Sequence, residues 1–188
     1  FGTGRCPKGW DPDYWYDMRR YLEELPREDR IASRDSDTIH RCGVPEEMTF
    51  GHRVANRALD FLEKHHAEDF FLTVSFDEPH GPFLCPRKYV DMYRDYEFPK
   101  TENVWEKLDG KPEYQRVWAG SRLARDADAL KIIRPEYFGC NTFVDYEIGR
   151  VLDAIEKFAP DATVIYTADH GMHMENHSLV DKGATAYD

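Results

Sequence analysis

The chain has 188 residues, of which 41% are hydrophobic and 32% are charged, and its formal net charge is -11. These values are typical of one globular domain, and the acidic charge argues against a nucleic-acid or anionic-membrane surface. No apolar run approaches the roughly 18 residues that a membrane-spanning helix needs. The four cysteines form no Cys-x-x-Cys pair, so we interpret them as reduced thiols rather than as a zinc site or disulfide framework.

Helical spacing occurs twice in the first third of the chain. It is present in Pro12–Leu25, where proline suits the first turn of a helix. Thr49 is the predicted N-cap of a stronger helix that continues to His66 and has one apolar stripe. The stripe consists of Phe50, Val54, Ala58, Phe61 and Leu62. The polar segment Pro26–Pro45 is predicted to be irregular.

Helices and loops also alternate after residue 85. The patterns predict a short helix in Pro86–Tyr96, a loop with few core residues in Glu97–Lys111, and a helix in Glu113–Lys131. Pro135 then opens a long amphipathic helix that ends at Phe158, before Pro160. Its predicted inward face consists of Phe138, Phe143, Val144, Ile148, Val151, Leu152 and Ile155.

Two apolar runs, Asp69–Phe76 and Ala162–Thr167, lack the polar alternation of a half-exposed strand. This composition is typical of strands that are buried on both faces in an α/β sheet. Each run follows a predicted helix, and this order indicates an α/β layered fold. Two strands alone do not make a stable sheet of this kind, so further strands lie either in the loops or outside the chain.

Polar residues cluster directly after the second run, where Asp169-His170-Gly171 begins. Ligands of open α/β sheets bind beyond the carboxyl ends of the strands. A carboxylate oxygen and an imidazole nitrogen together suit Mg, Mn, Ca or Zn, depending on the other ligands. The alternative interpretation is a capping aspartate beside a loop histidine that is hydrogen-bonded to the backbone.

Two further residues are candidates for binding an anion. His80 follows the first run and is placed to act as a general acid or an anion-binding donor. Lys182 could bind an anionic oxygen as a point charge. The alternatives are an ordinary loop histidine and a surface lysine. The stretch from His173 to His177 is not the His-Glu-x-x-His motif of zinc proteases, because its glutamate is displaced.

The order of these segments resembles the sulfatase family, which belongs to the alkaline phosphatase superfamily. The resemblance rests on F-F-L-T-V-S-F-D-E-P-H-G-P-F, V-D-Y-E-I-G-R-V-L-D-A-I-E, A-T-V-I-Y-T-A-D-H-G and a final H-x(4)-K-G. It extends from about Gly9 to the last residue. It implies a three-layer α/β/α fold with a mostly parallel central sheet, alkaline phosphatase-like and incomplete in this chain.

The resemblance also implies residue roles. Asp169 and His170 would ligate a divalent metal, with calcium preferred and magnesium or manganese as alternatives. Many family members have asparagine where His170 stands. The implied catalytic residues are His80 and Lys182, and His177 joins both in contacting a small anionic sulfate ester.

The sequence departs from the family in what it lacks. Sulfatases use a formylglycine made from Cys or Ser within Cys/Ser-x-Pro/Ala-x-Arg, whereas Cys6-Pro7-Lys8 and Cys85-Pro86-Arg87 place proline one position too early. The family's amino-terminal Asp-Asp metal pair has no counterpart either. We therefore expect residues 1–188 to be a partial catalytic domain, with formylglycine and half of the metal site upstream and further core downstream.

The predicted function is thus part of a metal-dependent sulfatase that hydrolyses sulfate esters. One alternative is a phosphonate or phosphate ester hydrolase of the same superfamily. Another is a catalytically silent fragment that binds a metal and an anion. We expect the isolated chain to be inactive.

Overall fold

The computed structural model describes residues 5–32 and 43–183. The chain divides into a first unit, Phe1–Arg94 with Pro135–Thr163, and a second unit, Asp95–Arg134 with Val164–Asp188. The helices of the described residues are α1 (Met18–Glu24), α2 (Arg27–Ala32), α3 (Phe50–His65), α4 (Arg87–Asp91), α5 (Glu113–Ala119) and α6 (Pro135–Phe158). The strands there are β1 (His173–Met174) and β2 (Val180–Asp181), and 3-10 turns form at Glu46–Met48, Glu102–Trp105, Gly120–Ala124 and Asn176–Ser178. None of these described helices is long and apolar enough to cross a membrane.

Capping side chains set where the first helices begin. α1 begins later than predicted because the Asp17 side chain accepts a backbone N–H of its first turn at 3.0 Å. Thr49 is confirmed as the N-cap of α3, since its hydroxyl accepts a first-turn N–H at 3.2 Å. α2 lies inside the segment Pro26–Pro45, so the prediction of an irregular chain is wrong there. Residues 33–42 of that segment lie outside the described residues.

The core of the first unit lies between α3 and α6. Its buried members are Ala55, Ala58, Leu62, Val151 and Ala154. The predicted stripe of α3 is therefore on the packed side of the helix. Leu152 was predicted to face inward but is 45% exposed. It follows Val151 by one residue, and a step of about 100° moves its side chain off the buried face of α6.

Gly139 on α6 gives a testable prediction because the backbone of α4 passes close to it. A Cβ added at Gly139 would lie 2.7 Å from the Val90 backbone nitrogen. We expect Gly139→Ala to lower the free energy of unfolding by about 2–3 kcal/mol, since neither backbone can yield cheaply. Gly149 on the same helix has open space around it. Gly149→Ala should instead stabilise by about 0.5–1 kcal/mol, and urea unfolding of both variants checks the contrast.

The two apolar runs predicted as strands have no regular secondary structure, and they form no ladder within the described residues. In the first run, alternate side chains pack against the α3–α6 core, whereas Phe71 is 89% exposed. In the second run, Ile165 is 83% exposed. Burial on both faces is therefore wrong for this chain, and the predicted parallel sheet is not confirmed. A strand's N–H and C=O groups need flanking strands, and the described residues supply none beside these runs.

The second unit has its own core, to which the segment Glu97–Lys111 contributes. Val104 and Leu108 are buried there, so the expectation of few core residues was wrong. Leu108 packs with Ala119 and Leu179. α5 is shorter than predicted because Gly120 follows it with a φ of 54°, which glycine adopts at little cost and which ends the helix.

Candidate functional site

Asp169 and His170 lie in the second unit, in the exposed stretch after the second apolar run. Asp169 Oδ2 lies 3.6 Å from His170 Nε2, while Asp169 Oδ1 accepts the His170 backbone N–H at 2.8 Å. His170 Nδ1 lies 2.8 Å from the Gly171 carbonyl oxygen, and it carries the hydrogen because a carbonyl only accepts. Nε2 is thus the ring nitrogen left to act as a metal ligand, and it lies beside Asp169 Oδ2. This donor pair fits one divalent cation.

A hairpin made by β1 and β2 carries the two other predicted site residues of the second unit. His173 pairs with Asp181 and Met174 with Val180, in antiparallel register. His177 lies in the 3-10 turn between the strands, and the half-buried Lys182 directly follows β2. His177 Nδ1 is hydrogen-bonded to the carboxylate of Glu106, a residue that sequence reasoning had placed in a plain loop.

A buried carboxylate anchors this hairpin. Glu175 is 3% exposed, and its φ of 72° lies in the left-handed region. Arg134 Nη2 donates to Glu175 Oε1 at 2.9 Å, and Arg125 donates to the other oxygen. Both oxygens of the only acid between His173 and His177 are therefore held by guanidinium groups. This pairing explains how a charged residue is accommodated at a buried turn.

His80 lies in the first unit, in an exposed turn after the first apolar run. Its backbone N–H donates to the Asp77 carbonyl at 2.8 Å, and its carbonyl accepts the Phe83 N–H at 3.0 Å. Its Nδ1 lies 2.6 Å from the Gly81 carbonyl oxygen, so Nδ1 carries the hydrogen. The structure thus describes His80 in one unit and the other four predicted site residues in the second.

Glu78, two residues before His80, is a buried acid that sequence reasoning missed. Gly51 on α3 donates its backbone N–H to Glu78 Oε1 at 2.9 Å. Oε2 is buried and has no hydrogen-bond partner among the described residues. A Cβ at Gly51 would lie 2.9 Å from this oxygen, so a larger residue at this position would displace the Glu78 carboxyl group. Burial raises the pKa of Glu78 to about 7.

A second cluster in the first unit has the spacing of a metal site. Glu46, His52 and Glu147 place ligand atoms within 4.8 Å of one another. However, Arg150 Nη1 lies 2.5 Å from Glu147 Oε2, and Lys88 Nζ lies 3.3 Å from Glu46 Oε2. Both carboxylates are therefore already paired with positively charged side chains. We therefore interpret the cluster as an ion-pair network that joins α3 and α6.

Comparison with known proteins decides which family these features belong to. A family model described as Sulfatase matches residues 6–188. The chain belongs to the sulfatase family. It is 41% identical over 195 residues to the uncharacterized sulfatase YidJ of Escherichia coli K12, covering 100% of the chain and 39% of that protein. It is also 29% identical over 145 residues to an arylsulfatase of Clostridium perfringens, covering 75% of the chain and 30% of that protein.

The resemblance to sulfatases is therefore confirmed, and it places this hydrolase family member in the alkaline phosphatase superfamily, whose fold is α/β. PehA of Trinickia caryophylli, named a multifunctional alkaline phosphatase superfamily protein, is 24% identical over 193 residues, covering 93% of the chain and 37% of PehA. The sulfatase chain spans between 30% and 39% of the length of these three relatives.

Glu78 predicts a pH dependence for this sulfatase. Its folded pKa of about 7 exceeds the ordinary 4.5, so the fold favours the protonated form. The raised pKa of Glu78 contributes stability to the folded state. This contribution is fully present below pH 4.5 and is lost as the pH rises through 7. At about 1.4 kcal/mol per pH unit, the loss is on the order of 3 kcal/mol.

Glu78→Gln cannot titrate and should remove this part of the pH dependence. Urea unfolding of the full-length protein between pH 4.5 and 8 measures the difference from wild type. Glu63→Gln, at an exposed position of α3, is the matched control and should follow the wild-type curve. Identical curves for Glu78→Gln and wild type would contradict the prediction.

Proposed function

We propose that the full-length protein that contains this chain is a metal-dependent sulfuric ester hydrolase, and that the chain supplies one side of its active site. The observation that carries the proposal is the donor pair of Asp169 Oδ2 and His170 Nε2, which are 3.6 Å apart. The hairpin that bears His177 and Lys182 follows within a few residues. Membership in the sulfatase family and the similarity to an arylsulfatase support a small anionic sulfate ester as substrate.

Asp169 and His170 would hold the divalent metal. The carboxylate is a hard oxygen donor, and the family resemblance makes calcium our first choice. The imidazole is a borderline nitrogen donor, so magnesium and manganese stay as alternatives. When bound, such a cation polarises an ester oxygen and stabilises negative charge on the transferred group. In this proposal the remaining ligands come from outside the 188 residues.

The other site residues act on the substrate. Lys182 would stabilise the charge that develops on the sulfate oxygens as a point charge. His80 holds its Nδ1 hydrogen toward Gly81, which assigns the contact with a sulfate oxygen or the leaving group to Nε2. His177 would line the substrate pocket. The nucleophile is expected to be a formylglycine upstream of this chain, so the isolated chain should be inactive.

The alternative is hydrolysis of phosphate or phosphonate esters, which the similarity to PehA supports. Turnover of an aryl sulfate by the full-length protein, compared with the matching aryl phosphate and phosphonate, separates the two. Faster hydrolysis of the phosphorus esters would favour the alternative. Turnover of any of these esters by the isolated chain would contradict the assignment of the nucleophile to another part of the protein.

Lys182→Ala tests the role of this chain in the reaction. We expect kcat/KM for the aryl sulfate to fall about 100-fold, because one group that stabilises transition-state charge is lost. The thermal unfolding midpoint should not change. Lys131→Ala is the matched control, since the Lys131 side chain is 71% exposed in the same unit. Wild-type turnover by Lys182→Ala would remove Lys182 from the site.

A further inference from the structure

Glu106 and His177 are 71 residues apart in the sequence, and their side chains are in contact. We propose that Glu106 is a positioning residue that holds the His177 imidazole through Nδ1 and thereby assigns the substrate contact to Nε2. The inference rests on the proposed function in one respect, namely that His177 contacts the substrate. The hydrogen bond between Glu106 and His177 does not depend on the proposed function.

The chemistry of the pair determines the tautomer. An ionised carboxylate only accepts hydrogen bonds, so His177 Nδ1 carries the hydrogen. The hydrogen bond from His177 holds the pKa of Glu106 below its ordinary value. Lys111 Nζ lies 3.5 Å from Glu106 Oε1 and places a positive charge beside the other carboxylate oxygen. Glu106 therefore stays ionised at neutral pH and keeps its role as acceptor.

Further contacts join the segment of Glu106 to the hairpin of His177. The Ser178 hydroxyl lies 3.4 Å from the Glu106 carbonyl oxygen, and the Thr101 hydroxyl donates to Asn176 Oδ1 at 2.8 Å. Below them, Leu108 and Leu179 are fully buried in one cluster. Surface ion pairs between mobile side chains contribute little, but here two hydrogen bonds and a buried apolar contact also join the two segments. The carboxylate thus has a fixed position from which to orient the imidazole.

The backbone at His177 indicates that the surrounding contacts determine its conformation. Its φ is 56°, in the left-handed region. A residue with a Cβ adopts this conformation at a cost of about 1 kcal/mol or more, and keeps it where neighbouring contacts impose it. The His177 side chain is 13% exposed, and Glu106 is the carboxylate against its Nδ1. An acid that sets the tautomer and direction of a histidine is a recurrent arrangement in active sites.

Steady-state kinetics of the full-length protein with p-nitrophenyl sulfate test the positioning role. Glu106→Ala should lower kcat about 10-fold or more with little change in KM. Glu106→Gln retains an oxygen acceptor for Nδ1 and should recover part of that loss. Adding Glu106→Ala to His177→Ala should cause no further loss, because Glu106 acts through His177. Glu102→Gln, at an exposed position of the same segment, is the matched control and should match wild type.

A second measurement does not depend on turnover. Carbethoxylation by diethyl pyrocarbonate, followed by peptide mass spectrometry, reports the reactivity of individual histidines. Glu106→Ala and Glu106→Gln should raise the reaction rate of His177 and leave that of His170 unchanged. An unchanged rate at His177, or a full additional loss of kcat in the double variant, would overturn the proposal. If the wild-type protein does not cleave the sulfate ester, the proposed function fails, and the labelling result alone decides whether Glu106 positions His177.

Discussion

Replacing Asp169 with alanine is expected to abolish the divalent-metal binding that we propose for the full-length protein and to lower kcat/KM about 1000-fold or more. Asp169 supplies the charged member of the donor pair, with Oδ2 3.6 Å from His170 Nε2. The imidazole that remains is a poor ligand for a hard cation. Because the Asp169 side chain is 87% exposed, its removal should leave the packing intact.

Elemental analysis of the purified protein measures the metal directly, and an aryl sulfate assay measures the activity. Asp169→Asn keeps an oxygen acceptor for the His170 N–H but loses the charge, so we expect a smaller loss of metal. Asp153→Ala, at an exposed position of α6, is the matched control. Unchanged metal content in Asp169→Ala would refute the ligand assignment.

Replacing Arg125 and Arg134 together with methionine is expected to lower the free energy of unfolding by about 3–5 kcal/mol. Both guanidinium groups bind Glu175, which is 3% exposed. Without them, the carboxylate would remain buried and uncompensated. The reverse change, Glu175→Gln, should cost less, because the two arginine side chains are 36% and 46% exposed and can be hydrated.

Adding Glu175→Gln to the double arginine variant tests this mechanism, since it removes the buried charge. At least half of the lost stability should return, as measured by urea unfolding. Arg122→Met is the control, because it removes a guanidinium from the same part of the chain, and it should change the stability by less than about 0.5 kcal/mol. No recovery in the triple variant would mean that the arginines contribute through packing rather than charge.

The helices could be predicted because their determinants act over a few residues. Thr49 caps α3 from the adjacent position, and the stripe of α3 repeats within each turn. The same reasoning failed for Phe71, because the sequence pattern of a doubly buried strand does not specify its neighbours. Leu152 shows a smaller error of the same kind, since the apolar pattern of α6 was wider than the face that is packed.

Parts of the candidate site could be predicted for the same reason. Asp169 and His170 are adjacent, so their shared position follows from the order of residues alone. Glu106, by contrast, meets His177 from 71 residues away, and the segment that carries it looked like a loop with few core residues. Glu78 meets Gly51 across 27 residues. No periodicity or motif connects these pairs.

The sequence by itself therefore determined the approximate positions of most helices and the membership in the sulfatase family. It also determined the site candidates, which are Asp169, His170, His80, His177 and Lys182. Only the tertiary structure decided which acids support them. Glu106 on the imidazole of His177 and Glu175 between two arginines depend on how remote segments pack. The physical reason is that caps, turns and motifs are encoded locally, whereas the partner of a buried charge is determined by the path of the folded chain.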